Sequence, residues 1–254
     1  MDRRAFLTAV AAAAASCAFG AVEARLLGMH VLPDAAGGAG PGGGFSATGL
    51  SLDPVTGGWV VGNDGRATDP QTTYDPSIVF LDAHFRKHGE LKLAPLYFQH
   101  GSVQGVAALK DGSIWYASPL EGLVRRIDRS GRQLARFSLP WANGVAVSRS
   151  GAVWALAKRK VWRMNEPAPR FSVRVGDGLC VAAGALWCAD HDALHQYGFD
   201  GRLMQRYVLP GVNYAEGVVV RGDEAWVVHN GSFHRSSRKA AIPPRSVIAH
   251  YALS

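Results

Sequence analysis

The stretch Asn143-Gly144-Val145-Ala146-Val147-Ser148-Arg149-Ser150-Gly151-Ala152-Val153-Trp154 decides the fold. It reads as an oxygen-bearing side chain, a glycine, a short apolar strand, a turn, and a second apolar strand carrying tryptophan. Four other segments repeat it: Thr48-Gly49-Leu50 to Trp59, Gln104-Gly105-Val106 to Trp115, Asp177-Gly178-Leu179 to Trp187, and Glu216-Gly217-Val218 to Trp226. Glycine precedes tryptophan by 10, 10, 10, 9 and 9 residues. Five of the seven tryptophans therefore occupy one position of a repeat, which chance does not produce.

Each copy opens with a hairpin whose tip carries turn residues such as Lys110-Asp111-Gly112 or Ser148-Arg149-Ser150-Gly151. Two further strands follow in the fuller copies. Leu123 to Ile127 leads through Asp128 and Gly131 to Leu134–Leu139, and Leu194 to Phe199 leads through Asp200-Gly201 to Leu203–Leu209. Four strands per repeat, with motif glycines 34 to 56 residues apart, predict an all-β chain: a β-propeller of five blades, with six as the alternative. The tryptophans are expected to pack between blades. The fifth copy reaches only a third strand, Val247 to Leu253. Its missing outer strand is expected at the other terminus, because Arg25 to Pro33 matches Arg202 to Pro210 in length and in its Leu-Pro end. The N-terminal strand then closes the C-terminal blade.

Composition excludes several classes. The 254 residues are 48% hydrophobic and 19% charged, which is neither disordered nor fibrous. Thirty glycines, about 12% against a usual 7%, call for many tight turns. Residues 1–24 read as a twin-arginine-type export signal, with Arg3-Arg4 ahead of Phe6-Leu7 and an uncharged run from Ala5 to Val22. Residues 25–254 form a single propeller domain in this reading, monomeric and periplasmic or secreted. A lipid-attached form at Cys17 is the alternative. The alanine-rich run is a poor permanent anchor, so no transmembrane segment is expected. Net charge is +7, and removing residues 1–24 takes away two arginines and two acids, leaving +7. For an exported chain this favours an anionic small molecule or envelope component as partner, and not nucleic acid. Arginines 125, 126, 132 and 136 also suit charged outer edges that resist aggregation. Three cysteines are too few for a disulfide scaffold. Cys180 and Cys188 flank a predicted three-residue loop at 183–185, which would set them opposite one another. A disulfide and two buried free thiols both remain open.

The motif residues locate a site. Thr48, Gln104, Asn143, Asp177 and Glu216 each begin an inner strand, so they are expected to ring one mouth of the central channel. The loops after the second strands return to that face, bringing Asn63, Asp64, Arg66, Asp190, His191, Asp192, His229, Asn230 and His234. Carboxylates at Asp177 and Glu216 with amide oxygens at Asn143 and Gln104 form an all-oxygen set that suits calcium, not zinc or copper. Adjacent carboxylates repel unless a cation or proton intervenes. Asp177 or a histidine such as His229 could take a proton from a bound substrate.

The blades from Asn143 through Trp154 and from Asp177 through Trp187 resemble those of gluconolactonase/regucalcin-like propellers, and Asp111-Gly112-Ser113-Ile114-Trp115-Tyr116 resembles NHL-type propellers. The resemblance implies six blades, a divalent cation on Asn143, Asp177 and Glu216, and a catalytic-base role for Asp177. Five blades and Ala215-Glu216-Gly217 resemble equally the SdiA-regulated type of exported propeller. Two functions follow: an exported propeller that binds a small ligand, glycan or protein at a polar mouth with a divalent cation, or a metal-dependent lactone or ester hydrolase.

Overall fold

A computed structural model describes residues 20–32, 47–64, 76–93, 103–174, 176–211, 214–230 and 246–254. Among them every regular element is a strand, and none is a helix. β1 (Val22–Glu23) and β2 (Arg25–Val31) precede blade 1, which holds β3 (Ala47–Leu52), β4 (Trp59–Asn63), β5 (Ser77–Leu81) and β6 (Lys87–Lys92). Blade 2 follows as β7 (Val106–Ala108), β8 (Ile114–Ser118), β9 (Leu123–Ile127) and β10 (Gln133–Ser138). Blade 3 is β11 (Ala142–Val147), β12 (Val153–Ala157), β13 (Lys160–Arg163) and β14 (Phe171–Ser172). Blade 4 is β15 (Gly178–Ala182), β16 (Ala185–Asp190), β17 (Ala193–Tyr197) and β18 (Leu203–Val208). Blade 5 takes β19 (Ala215–Arg221), β20 (Glu224–Asn230) and β21 (Ser246–Ala252) from the end of the chain. Its fourth strand is β2, paired antiparallel to β21 from Arg25↔Ala252 to Val31↔Val247. The sheets form a five-bladed propeller closed by its N-terminal strand, as the repeat requires.

The polar-glycine motif has two physical jobs. In blades 3 and 5 the ladder slips by one residue at Asn143 and at Glu216. In blade 4, Asp177 and Gly178 both oppose Ala189, and in blade 2, Gln104 and Gly105 both oppose Ala117. The polar residue is the extra residue of a β-bulge, a device that re-aims a side chain at a strand end. The glycine is needed for space. A Cβ on Gly49 would meet Gln104 O at 2.6 Å, one on Gly105 would meet Val145 N at 2.6 Å, and one on Gly144 would meet Leu179 Cβ at 2.7 Å. On Gly178 it would meet Glu216 O at 1.9 Å, and on Gly217 it would meet Leu50 N at 2.7 Å. Each motif glycine thus abuts the next blade's motif, and Gly217 abuts the first. Inner strands this close to a common axis leave no room for a side chain.

Burial follows the same geometry. Five apolar clusters fill the five gaps between blades, for example Ala146, Trp154, Leu179 and Leu186 between blades 3 and 4. Trp59, Trp115, Trp154 and Trp187 are buried within these clusters, and Trp226 packs half-buried against the gap between blades 5 and 1. That last gap is an aromatic ladder. His30 stacks on Phe85 at 4.2 Å, Phe85 on Trp59 at 5.2 Å, and Trp226 on His250 at 4.4 Å between ring centroids. The closing strand is therefore clamped by rings as well as by its ladder.

Two features depart from or extend the sequence reading. Val22–Glu23, within the expected leader, adds a parallel fifth strand to blade 4 along Tyr207 and Val208. Ala24 is buried between blades 4 and 5, its N–H donating to Val208 O at 2.9 Å. Residues 1–19, including the arginine pair and Cys17, lie outside the described residues.

The second departure concerns the thiols. Ala182 pairs with Ala185, so the turn has two residues, not three. That moves the register by one, and a one-residue move sends a side chain to the opposite face. Cys180 pairs with Trp187 and joins the cluster between blades 4 and 5, whereas Cys188 pairs with Leu179 and faces blade 3. Both are free thiols, pushed by burial up to about 11 and about 12 respectively. Titration of the unreduced domain with a thiol reagent is expected to find Cys188 protected in the folded state, Cys180 the more accessible of the two, and both reactive in denaturant. A single bridged pair in denaturant would contradict this register.

Candidate functional site

The bulges deliver Asn143, Asp177 and Glu216 to one end of the channel, where β11, β15 and β19 begin. Asn143 Nδ2 donates to Asp177 Oδ1 at 3.3 Å. Asp177 is half-buried, and Glu216 is buried at 7% exposure. Burial pushes Asp177 above the usual carboxylate range, with the Asn143 hydrogen bond opposing and Asp190 adding to the rise. Burial, then the Asp177 and Asp64 carboxylates, push Glu216 well above its ordinary value. Asp64, buried at the end of β4, is the third acid of this group. The loop after β4 was expected to bring it to this mouth, but its coupling to Glu216, 152 positions further along the chain, shows only in space.

The rim contrasts with the floor. Asp190 accepts from His191 Nδ1 at 2.7 Å, and the exposed His191 ring lies 4.7 Å from Tyr214. Burial raises the Tyr214 phenol, and Asp177, Glu216 and Asp190 raise it further. Tyr214 escaped the sequence reading although it stands two residues before Glu216. Arg159, on the turn between β12 and β13, is close enough to act on Asp177 electrostatically.

Other expected members stand apart. The Thr48 hydroxyl donates to the carbonyl of Val103 at 2.5 Å, with that of Gly62 at 3.3 Å as the alternative acceptor, so it ties blade 1 to the segment entering blade 2. Gln104 is half-buried at the same mouth and has no side-chain hydrogen bond among the described residues. Asn63 donates to Ser77 Oγ at 3.1 Å, facing its own blade. His229 is fully buried near the end of β20, in register with Ala215. Asp192 points to Arg206 at 3.7 Å, away from the acids. Arg66 and His234 lie outside the described residues.

An ion can be tested against this donor set. Two carboxylates with raised proton affinities, Asp177 and Glu216, with the buried Asp64 and an amide beside them, have the chemistry of a hard-cation site. Among the described residues no three His, Cys, Asp or Glu side chains converge into a cage by themselves. An all-acid cage does not fit; an ion here would have to take Asp177, Glu216 and the Asn143 amide oxygen together with water. Two cavities lie elsewhere among the described residues. One of about 840 Å³ lies at the opposite end of the channel between Leu52, Ala108, Val147, Val181 and Val220, and one of about 660 Å³ lies beside Trp154 and Phe199. Their walls are mainly apolar and bring no acid group together, so the chemistry stays with the motif end.

Comparison with known proteins supports the architecture. A gluconolactonase from Xanthomonas campestris superposes with a TM-score of 0.50 at 15% identity, over 92% of this chain and 96% of that one. A luciferin-regenerating enzyme superposes with a TM-score of 0.54 at 14% identity, over 82% of this chain and 78% of that one. The chain shares their fold. No family model matches the sequence, and no curated protein matches it. Among the described residues no helix is long and apolar enough to cross a membrane.

Proposed function

We propose that the mouth formed by Asn143, Asp177 and Glu216 binds a small oxygen-rich ligand together with a divalent cation, calcium being the best match to the donors. The observation that supports this most is the burial of Glu216 beside Asp177 and Asp64. Like charges in a low-dielectric site persist only with a proton or a cation between them. The export signal over residues 1–24 belongs to the same proposal and puts the site in the periplasm or outside the cell.

Hydrolysis of a lactone or ester is the second reading, favoured by the raised proton affinity of Asp177. When bound, a divalent cation supplies Lewis-acid polarisation of the carbonyl. Asp177 would take the proton from the attacking water, and Asn143 holds its Oδ1. Asp177 is better situated for this than His229, which is closed off from solvent.

Thermal melting with calcium, manganese or chelator tests the site. Glu216 holds its proton more tightly in the folded state than an unfolded glutamate, whose ordinary value is 4.5. Stability from this group is therefore fullest below pH 4.5 and is lost as pH rises through the higher folded value. Glu216→Gln removes that loss, so the chelated variant should melt about 3–6 °C above the wild type at neutral pH. Calcium at about 100 times its Kd should add about 2.7 kcal/mol to the wild type and nothing to the variant. A wild-type melting temperature indifferent to cation and chelator at every pH sinks the cation. A lactone and ester panel then decides between binding and turnover.

A further inference from the structure

We propose that Trp141, Lys158 and Arg159 form a lip of this mouth that receives an acidic sugar, its ring on Trp141 and its carboxylate on the two cations. The inference rests on reading the mouth as a ligand site and specifies what the ligand carries.

The repeat contains its own control. Between blades 4 and 5 the chain turns at Leu209-Pro210-Gly211, with Gly211 at φ +76°. Between blades 2 and 3 the turn after the outer strand reads Leu139-Pro140-Trp141, with Trp141 at φ +65°; counted back from the motif glycine, Trp141 matches Tyr214, an aromatic of the same rim that is left-handed too at φ +71°. A turn with proline in its second position and a left-handed residue in its third favours glycine there. Tryptophan gives up that ease and gains no core burial, since it is 51% exposed. The turn joining β12 to β13 repeats the anomaly. Lys158 and Arg159 sit at φ +48° and +62° between the paired Ala157 and Lys160. A two-residue turn with both residues left-handed favours Asn-Gly. Here it carries two long cations, and both are exposed.

These three disfavoured residues share one side of one mouth. Lys158 Nζ lies 5.3 Å from the Trp141 ring centroid, and Asn143 is two residues beyond Trp141. Arg159 reaches Asp177 electrostatically. Backbone strain held by bulky residues at a rim is a mark of function. The charge pattern selects the ligand. In the absence of a cation the acids Asp64, Asp177 and Glu216 offer a carboxylate no positive partner, whereas Lys158 and Arg159 do. Hydroxyls find acceptor oxygens at Asn143 and Asp177, and the apolar face of a sugar ring covers exposed indole. A sugar with one carboxylate satisfies both halves in a single orientation.

D-galacturonate and D-galactose serve as probes, since they share one body and differ in the carboxylate. Calorimetric titration of the whole protein in chelator is independent of ion and turnover. Galacturonate is expected to bind at least about tenfold more tightly than galactose. Trp141→Gly, and Lys158→Asn with Arg159→Gly, should each weaken galacturonate by about tenfold or more. Their melting temperatures should hold or rise, because each installs the residue its turn prefers. Equal affinity for the two sugars overturns the proposal, as does unchanged binding in either variant or a melting temperature that falls in both. Galacturonate bound in chelator without any calcium response keeps the lip and removes the cation. A calcium response without preference for galacturonate does the reverse.

Discussion

Gly178→Ala is expected to prevent the ring from forming. The added Cβ would lie 1.9 Å from Glu216 O, 2.8 Å from its carbonyl carbon and 3.1 Å from Gly217 Cα. All three are backbone atoms of the neighbouring inner strand, so no rotamer change makes room. Overpacking a core costs about 1–3 kcal/mol when side chains can yield. Here β15 and β19 must separate, and with them the gap that holds Trp187, Val218 and Tyr251. Against a total stability of about 5–15 kcal/mol that loss removes most or all of the folded population. Gly28→Ala is the control: it sits within β2 with nothing within 4 Å of its Cβ, and should change stability by no more than about 0.5 kcal/mol. Near-ultraviolet circular dichroism and melting of both variants check the contrast. Cooperative melting of Gly178→Ala within a few degrees of wild type would disprove the close approach of inner strands.

Truncation to residue 33 is expected to be nearly as severe. It deletes β2, so β21 becomes an unpaired edge carrying Val247, Ile248 and Tyr251. Leu32 is lost from the gap between blades 5 and 1, and His30 from the aromatic ladder beside Phe85. Losing a buried leucine alone costs about 2–5 kcal/mol. With the strand ladder added, the melting temperature should fall by more than about 10 °C, at 2–4 °C per kcal/mol. A peptide spanning Arg25–Leu32 supplied in trans should recover part of the loss. An unchanged melting temperature would mean that β2 merely lies on a ring closed by other means.

Much of this was legible along the chain because repetition is a property of sequence. The glycine-to-tryptophan spacing recurs wherever an inner strand passes another backbone, so it counts the blades directly. The match between Arg25–Pro33 and Arg202–Pro210 revealed the closure for the same reason. The motif position also located Asn143, Asp177 and Glu216 at one mouth, since bulge and glycine travel together. The three-residue loop at 183–185 was misread, and that one residue of turn length, at Ala182–Ala185, decides which face Cys188 takes. The loop after β4 already brought Asp64 to this mouth, but its coupling to Glu216 shows only in space, and Tyr214 joined the site through space alone.

By itself, then, the order of residues determined the number of blades, the strand that closes them and the end of the channel that carries oxygen donors. These rest on local rules: turn residues, alternation, and the recurring need for a glycine. Only the tertiary structure decided which carboxylates share a buried field, which turns hold Trp141, Lys158 and Arg159 against their preference, and which way each thiol faces. Those depend on distances between blades, and electrostatic coupling and packing act across gaps that separation in sequence does not measure.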